Sequence, residues 1–355
     1  MGCWLRFANL GPCLRRDDVH GLRAKNVLST SDVRTSSLRR RGQCLGTVRP
    51  KFVALTCSLL VALTANAAKP DPVHDYGFQI VAADDSAITR RIAEDLVKRL
   101  VPIFGKFRTE LAQRRRTLYV AIGPSALRDV GARRCDCVVV SAFTSSQVYR
   151  AIAARLAPAQ AAAITAVYAE PAPADQLRLA ALLYRRPVRV AALLGADTAF
   201  LKPALVVDKV TVLDAGQGDD SGAKNGADIN DLLNRIAQTD VLLALPDAAI
   251  YNAENFRNIL LSTYRHKQGV IGFSADMVKA GALGTTYSEV EDINTQVAEI
   301  AAAYVAGGQL PAPQFPRYFR TIVNEGVAKS LDVTVDDAAR HFARRPPGAI
   351  PAPPP

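Results

Sequence analysis

DVLLALPDAAIYNAENFRNILLSTYRHKQGVIGFS, residues 240–274, is the stretch whose reading decides the fold. Its two ends, DVLLALP (240–246) and GVIGFS (269–274), are short apolar runs, and the polar stretch between them closes as a helix near His266. Runs of that length without polar alternation are strands buried on both faces, as in a parallel sheet covered by helices. The rhythm extends towards the N-terminus through KVTVLDA (209–215), VRVAALLG (188–195), CVVVSAF (137–143), TLYVAIG (117–123) and FQIVAAD (78–84). Helical stripes lie between the strands. Ile88, Ile92, Leu96, Leu100 and Ile103 share one face of residues 86–104, and Ile229, Leu232, Leu233 and Ile236 share one face of residues 228–238. This alternation predicts an α/β protein with doubly wound parallel sheets. The chain has 355 residues, which at roughly 100–200 residues per domain favours two lobes.

The net charge of +11 raises the question of a nucleic-acid partner, and the location of the charge answers it. Residues 1–67 hold eleven Lys and Arg against three Asp, a net of +8, and the remaining 33 basic and 30 acidic residues leave only +3. No nucleic-acid partner is expected from so mild an excess. The basic leader ends in KFVALTCSLLVALTANAA (51–68), a positive flank, an apolar run and small residues at Ala65 and Ala67. That is the layout of a secretory signal cleaved near Ala67, which predicts a periplasmic protein. About a dozen apolar residues are too few for a bilayer span of ~20. Residues 48–68 are therefore read as the signal peptide and residues 1–47 as a non-native or disordered leader. A GTG codon at Val48 would make that position the true start, and a long export leader is the alternative.

Cys135 and Cys137 follow the leader in a C-x-C spacing at a strand entrance. Two small thiols are expected there, with a strained, redox-active bridge as the alternative. His74, His266 and His341 fall in no catalytic motif, and G-x-S-x-G and H-E-x-x-H are both absent. The chain reads as a non-enzyme with no cofactor and no metal site. The loop AGQGDDSGAKNGAD (215–228) lacks both phosphate-binding Gly fingerprints, and RRPPGAIPAPPP closes the chain as a Pro-rich tail within 341–355.

Several segments resemble one family in detail. PDAAIY (246–251), GFSADMVKAGAL (272–283), YSEVEDINTQVAEIA (287–301) and Asn324–Leu331, with VAIGPSAL (120–127) and AVYAEPAPADQLRLAALL (166–183) upstream, are similar to the ABC-transporter substrate-binding family of tryptophan and tyrosine receptors. That family has the periplasmic-binding-protein type I fold. The resemblance covers most of residues 115–335 and implies two lobes joined by three crossings, near residues 165, 281 and 309. The first lobe would be 69–165 plus 281–308, and the second 166–280 plus 309–340. Two departures stand out. One strand and helix precede YVAIG where the family has a further strand, and FTSSQVY (143–149) replaces its Asp-Pro turn.

The resemblance and the rule that doubly wound sheets bind ligands beyond their strand ends both place the site between the lobes. The turns there are Gly123-Pro124-Ser125, Thr144-Ser145-Ser146, Pro246-Asp247-Ala248 and Ser274-Ala275-Asp276, with Asp84 after the first strand. Helix N-termini at these turns suit a carboxylate, and Asp247 is the candidate partner for an ammonium. Capping explains Ser125, Ser145 and Asp247 equally well, and a solvated cap is the favoured reading of Asp84. Phe143, Tyr149 and Tyr251 are candidate apolar walls. The chain is thus expected to be a monomeric receptor for a small molecule, such as an amino acid or related small acid, that serves an ABC permease. A sensor or adaptor of the same fold, signalling rather than transporting, is the alternative.

Overall fold

A computed structural model describes residues 77–106, 117–133, 135–215 and 229–348. The leader, the signal peptide, most of the 215–228 loop and the end of the Pro-rich tail lie outside the described residues. The first sheet holds β1 (Phe78–Ala82), β2 (Thr117–Ile122), β3 (Cys137–Thr144) and β4 (Ile164–Tyr168), all parallel and in sequence order. The second holds β5 (Val190–Leu194), β6 (Thr211–Asp214), β7 (Val241–Leu243), β8 (Gly269–Ile271), β9 (Gly284–Tyr287) and β10 (Arg320–Val323), in the order β10-β9-β8-β7-β5-β6. Only β10 runs antiparallel, against β9.

The seven apolar runs of the sequence are β1, β2, β3, β5, β6, β7 and β8. Their side chains pack on both faces of each sheet, as a strand such as β5, buried at every position, requires. In the first sheet one face carries α1 (Ala87–Lys106) and α10 (Val290–Gly307), packed through Leu96, Leu100, Val297 and Val305 onto Leu118, Val120, Val138 and Val140. The other face carries α2 (Gly123–Gly131) and α3 (Ser146–Ala153), packed through Leu127, Val130, Tyr149 and Ile152 onto Ala121, Val139 and Ala166. A short α4 (Pro158–Ala161) leads into β4. In the second sheet α5 (Pro173–Tyr184), α6 (Lys202–Val207), α11 (Glu325–Ser330) and α12 (Asp337–Arg340) cover one face, and α7 (Ile229–Arg235), α8 (Ala253–Arg265) and α9 (Ala275–Lys279) the other.

The first sheet carries a topological irregularity. β1, β2, β3 and β4 step across the sheet in one direction, yet α1 lies on the opposite face from α2 and α3. The β1-α1-β2 unit therefore has the opposite hand to the two units that follow, although such crossovers are right-handed in ≈ 98% of proteins. Among the described residues β1 is the edge strand, and β2 is its inner neighbour.

The chain passes between the sheets at 169–172, 288–289 and 308–319. The third contains the crossing expected near 309, and the first two lie a few residues beyond those expected near 165 and 281. β4 extends to Tyr168 because it pairs along β3, and β9 belongs to the second sheet because it pairs with both β8 and β10. The third crossing is fastened on both sides. Tyr168 N–H donates to the Gln314 carbonyl at 3.0 Å, Gln314 N–H donates to the Ala166 carbonyl at 2.9 Å, and the Gln296 side chain holds the Phe315 carbonyl and Arg317 N–H. Cys135 and Cys137 form a disulfide, which corrects the expectation of two thiols. Their Cα atoms lie 5.3 Å apart, inside the range that a bridge needs, because alternate residues of an extended chain point the same way.

Candidate functional site

The strands of the second sheet part at β5 and β7, where the strand order reverses, and that is where a doubly wound sheet opens a crevice. Asp247 sits there, four residues beyond β7 and 4% exposed. Its Oδ2 accepts from Gly195 N–H at 3.2 Å and from the Thr198 hydroxyl at 2.9 Å, and its Oδ1 accepts from Ala249 N–H at 3.1 Å. The carboxylate thus sews the turn after β7 to the turn after β5. Gly195 is required by this approach, since a Cβ there would stand 2.5 Å from Oδ2. Tyr251 is buried beside it, its hydroxyl without a partner. Burial, with the Asp247 charge adding to it, pushes the Tyr251 phenol well above its usual range. Asp247 therefore accepts from three of the protein's own donors.

The facing edge belongs to the first sheet. Thr144 ends β3, is 1% exposed, and accepts from the Ser141 hydroxyl at 3.1 Å. Ser145 follows as the N-cap of α3, 6% exposed, but its hydroxyl caps nothing and has no partner. The first N–H of α3, from Ser146, is taken by the Glu170 carboxylate at 2.8 Å. Glu170 lies in the first crossing, is 6% exposed, and keeps its second oxygen unpartnered. Burial raises its carboxyl above the usual range, and the hydrogen bonds from Ser146 offset that only in part.

Two contacts close this edge onto the second lobe. The Gln147 side-chain amide donates to the Pro246 carbonyl, and the Arg150 guanidinium lies 4.4 Å from the centre of the Phe200 ring. The turn after β3 thereby meets the turn after β7, so Thr144, Ser145 and Asp247 are brought to one place. The remaining candidates are spread along the two strand-end edges. Gly123 opens α2 at φ 80°, a left-handed conformation that favours Gly, and Ser125 in its first turn accepts from Arg128 at 3.0 Å. Ser274 caps α9 by accepting from Met277 N–H at 3.4 Å. Asp84 is exposed and accepts from Ser86 N–H and the Thr89 hydroxyl, and the Thr89 bond leads in holding its carboxyl below the usual range. It braces the turn before α1 in solvent, where the Ser86 hydroxyl is the cap, accepting from Thr89 N–H at 3.2 Å; a solvated position is the reading favoured for it above.

Phe143, one of the candidate walls, is half-buried at φ 58° where β3 shifts register against β4. Tyr149 packs into the core against Tyr168. His266 and His341 are both exposed, at the ends of α8 and α12. Glu170, Gln147, Thr198 and Phe200 were not singled out in the sequence. A carboxylate followed by two prolines in AEPAP, between a buried strand and a helix, was the one local signal for Glu170.

No family model and no curated protein matches the chain. Solved structures do match. The ligand-free, open structure of CD0873, a substrate binding protein with adhesive properties from Clostridium difficile, has a TM-score of 0.51 at 14% identity, over 74% of this chain and 97% of that one. A conserved domain protein from Vibrio cholerae has a TM-score of 0.44 at 16% identity, over 75% and 98%. The ABC domain in complex with L-Trp from Streptococcus pneumoniae has a TM-score of 0.44 at 14% identity, over 75% and 98%. At these identities what is shared is architecture: the chain has the two-lobed periplasmic-binding-protein type I fold.

Proposed function

We propose that the chain is an exported solute-binding protein that closes its two lobes around one small molecule and hands it to an ABC permease in the inner membrane. The observation that carries this reading is the meeting of the turn after β3 with the turn after β7, at the place where the second sheet reverses its strand order. Two parallel sheets present their strand ends to each other there, and the polar groups on both sides come from turns, which suits recognition of a small polar solute. Gly123, Ser125, Thr144, Ser145 and Ser274 line these edges, and Asp247 fixes the turn that forms the floor. The fold shared with a substrate binding protein supports the same reading.

A thermal-shift screen of the secreted protein against the twenty protein amino acids and small organic acids tests it. A ligand held at 100 times its dissociation constant stabilises the folded form by about 2.7 kcal/mol, so at least one compound should raise the melting temperature in a saturable way. Failure of every compound to do so removes the support for a receptor of this ligand class. Once a ligand is found, Phe200→Ala is expected to speed its release roughly 2- to 30-fold in stopped-flow dissociation. That range corresponds to an Arg150–Phe200 contact of about 0.5–2 kcal/mol present only while the lobes are closed. An unchanged rate would show that the pair is no latch.

A further inference from the structure

We propose that Glu170 is the residue of the cleft that recognises a cation, and that the solute therefore carries a primary ammonium group. The inference rests on the solute-binding reading and assigns the charge of its ligand. Two buried polar atoms of the first lobe are without a partner, the Ser145 hydroxyl and the second oxygen of Glu170, whose first oxygen binds the residue next to Ser145. Both residues are 6% exposed, and the Glu170 oxygen that is satisfied binds Ser146 N–H at the first turn of α3. The next residue, Gln147, already touches the Pro246 carbonyl of the other lobe, so this unsatisfied pair lies at the lobe junction.

Leaving a buried acceptor unmade costs about 1–3 kcal/mol, and burial disfavours a carboxylate that has no cation beside it. Among the described residues no Arg or Lys forms an ion pair with Glu170, and its carboxyl is correspondingly raised. An ammonium arriving in the cleft supplies what is missing: three donors and one positive charge, enough for the free Glu170 oxygen and the Ser145 hydroxyl together. Asp247, the other buried acid of the junction, has its oxygens taken by Gly195, Thr198 and Ala249. The Glu170 carboxylate also fills the N-terminus of α3, so a solute's own carboxylate has to be held elsewhere in the cleft.

The test is calorimetric binding of whichever amino acid gives the largest thermal shift, alongside its N-acetyl derivative, which keeps the carboxylate and loses the ammonium. Wild-type protein should bind the N-acetyl compound at least about tenfold more weakly, as loss of a charge-assisted hydrogen bond implies. Glu170→Gln keeps an oxygen for Ser146 N–H, so the free variant should melt no lower than wild type while losing a similar factor for the amino acid. Equal binding of the two compounds by wild type overturns the proposal without recourse to the variant. So does undiminished binding of the amino acid by a folded Glu170→Gln, or a best ligand that has no cationic group. If no compound in the screen binds wild type at all, it is the solute-binding reading that fails.

Discussion

Asp247→Ala is expected to lower the free energy of unfolding by about 3 kcal/mol, because it removes a buried charged acceptor shared by three donors, leaving Ala249 N–H without a partner and Gly195 and Thr198 only with each other. The donors are Gly195 N–H, the Thr198 hydroxyl and Ala249 N–H, all within 3.2 Å of the carboxylate. Gly195→Ala should cost about as much by another route, since its Cβ would stand 2.5 Å from Oδ2 and push the carboxylate out of the turn. The two changes attack one interaction, so they should not add. In the double variant the second substitution is expected to cost less than about 1 kcal/mol, as residues in direct contact do in a double-mutant cycle. Denaturant unfolding of the four proteins measures this, and full additivity would show that Asp247 and Gly195 act independently.

Gln176→Leu is the other large expected effect, again about 3 kcal/mol of lost stability, from a buried amide whose partners cannot reach water. Gln176 lies in the first turn of α5, just past the first crossing, and is 2% exposed. Its amide donates to the Gly272 carbonyl and the Thr285 hydroxyl, each at 2.8 Å, and its carbonyl oxygen accepts from Thr286 N–H at 2.9 Å. One side chain thus ties the segment entering the second lobe to β9, the strand that leaves it. Thr285 donates to the Gly272 carbonyl as well, so the group left orphaned is Thr286 N–H. Amide exchange in β9 should accelerate in Gln176→Leu before the rest of the lobe is affected, and unaltered exchange there would place the loss elsewhere.

The strands that were legible sit in apolar runs. DVLLALP and VRVAALLG announce β7 and β5 because burial on both faces leaves no polar position. β9 and β10 were missed for the converse reason: GTTY and RTIV contain polar side chains that find partners only after folding. The order of β1 and α1 before β2 was visible as a short N-terminal segment. Its consequence, an α1 on the opposite face from α2 and α3, needs the sheet order to be known.

The site divides in the same way. Asp247 was legible as the acid after a buried strand, whereas its role was not, because Thr198 and Gly195 lie 49 and 52 residues away in sequence. Ser145 was legible as a cap by residue type, yet its hydroxyl caps nothing, and the carboxylate at the start of α3 comes from Glu170, 24 residues downstream of Ser146. Local patterns name the residues of a turn, and the pairing of turns is set by sheet order and lobe closure. For that reason the ligand's charge is read here from an unsatisfied oxygen and from no motif.

The most direct measurement of the receptor reading is titration calorimetry of the intact secreted protein with the compound giving the largest thermal shift, at several temperatures. One molecule should bind per chain, with a clearly negative heat-capacity change as the closing lobes remove apolar surface from water. Binding without saturation, a stoichiometry other than one, or a heat-capacity change indistinguishable from zero would contradict capture of a single solute between closing lobes.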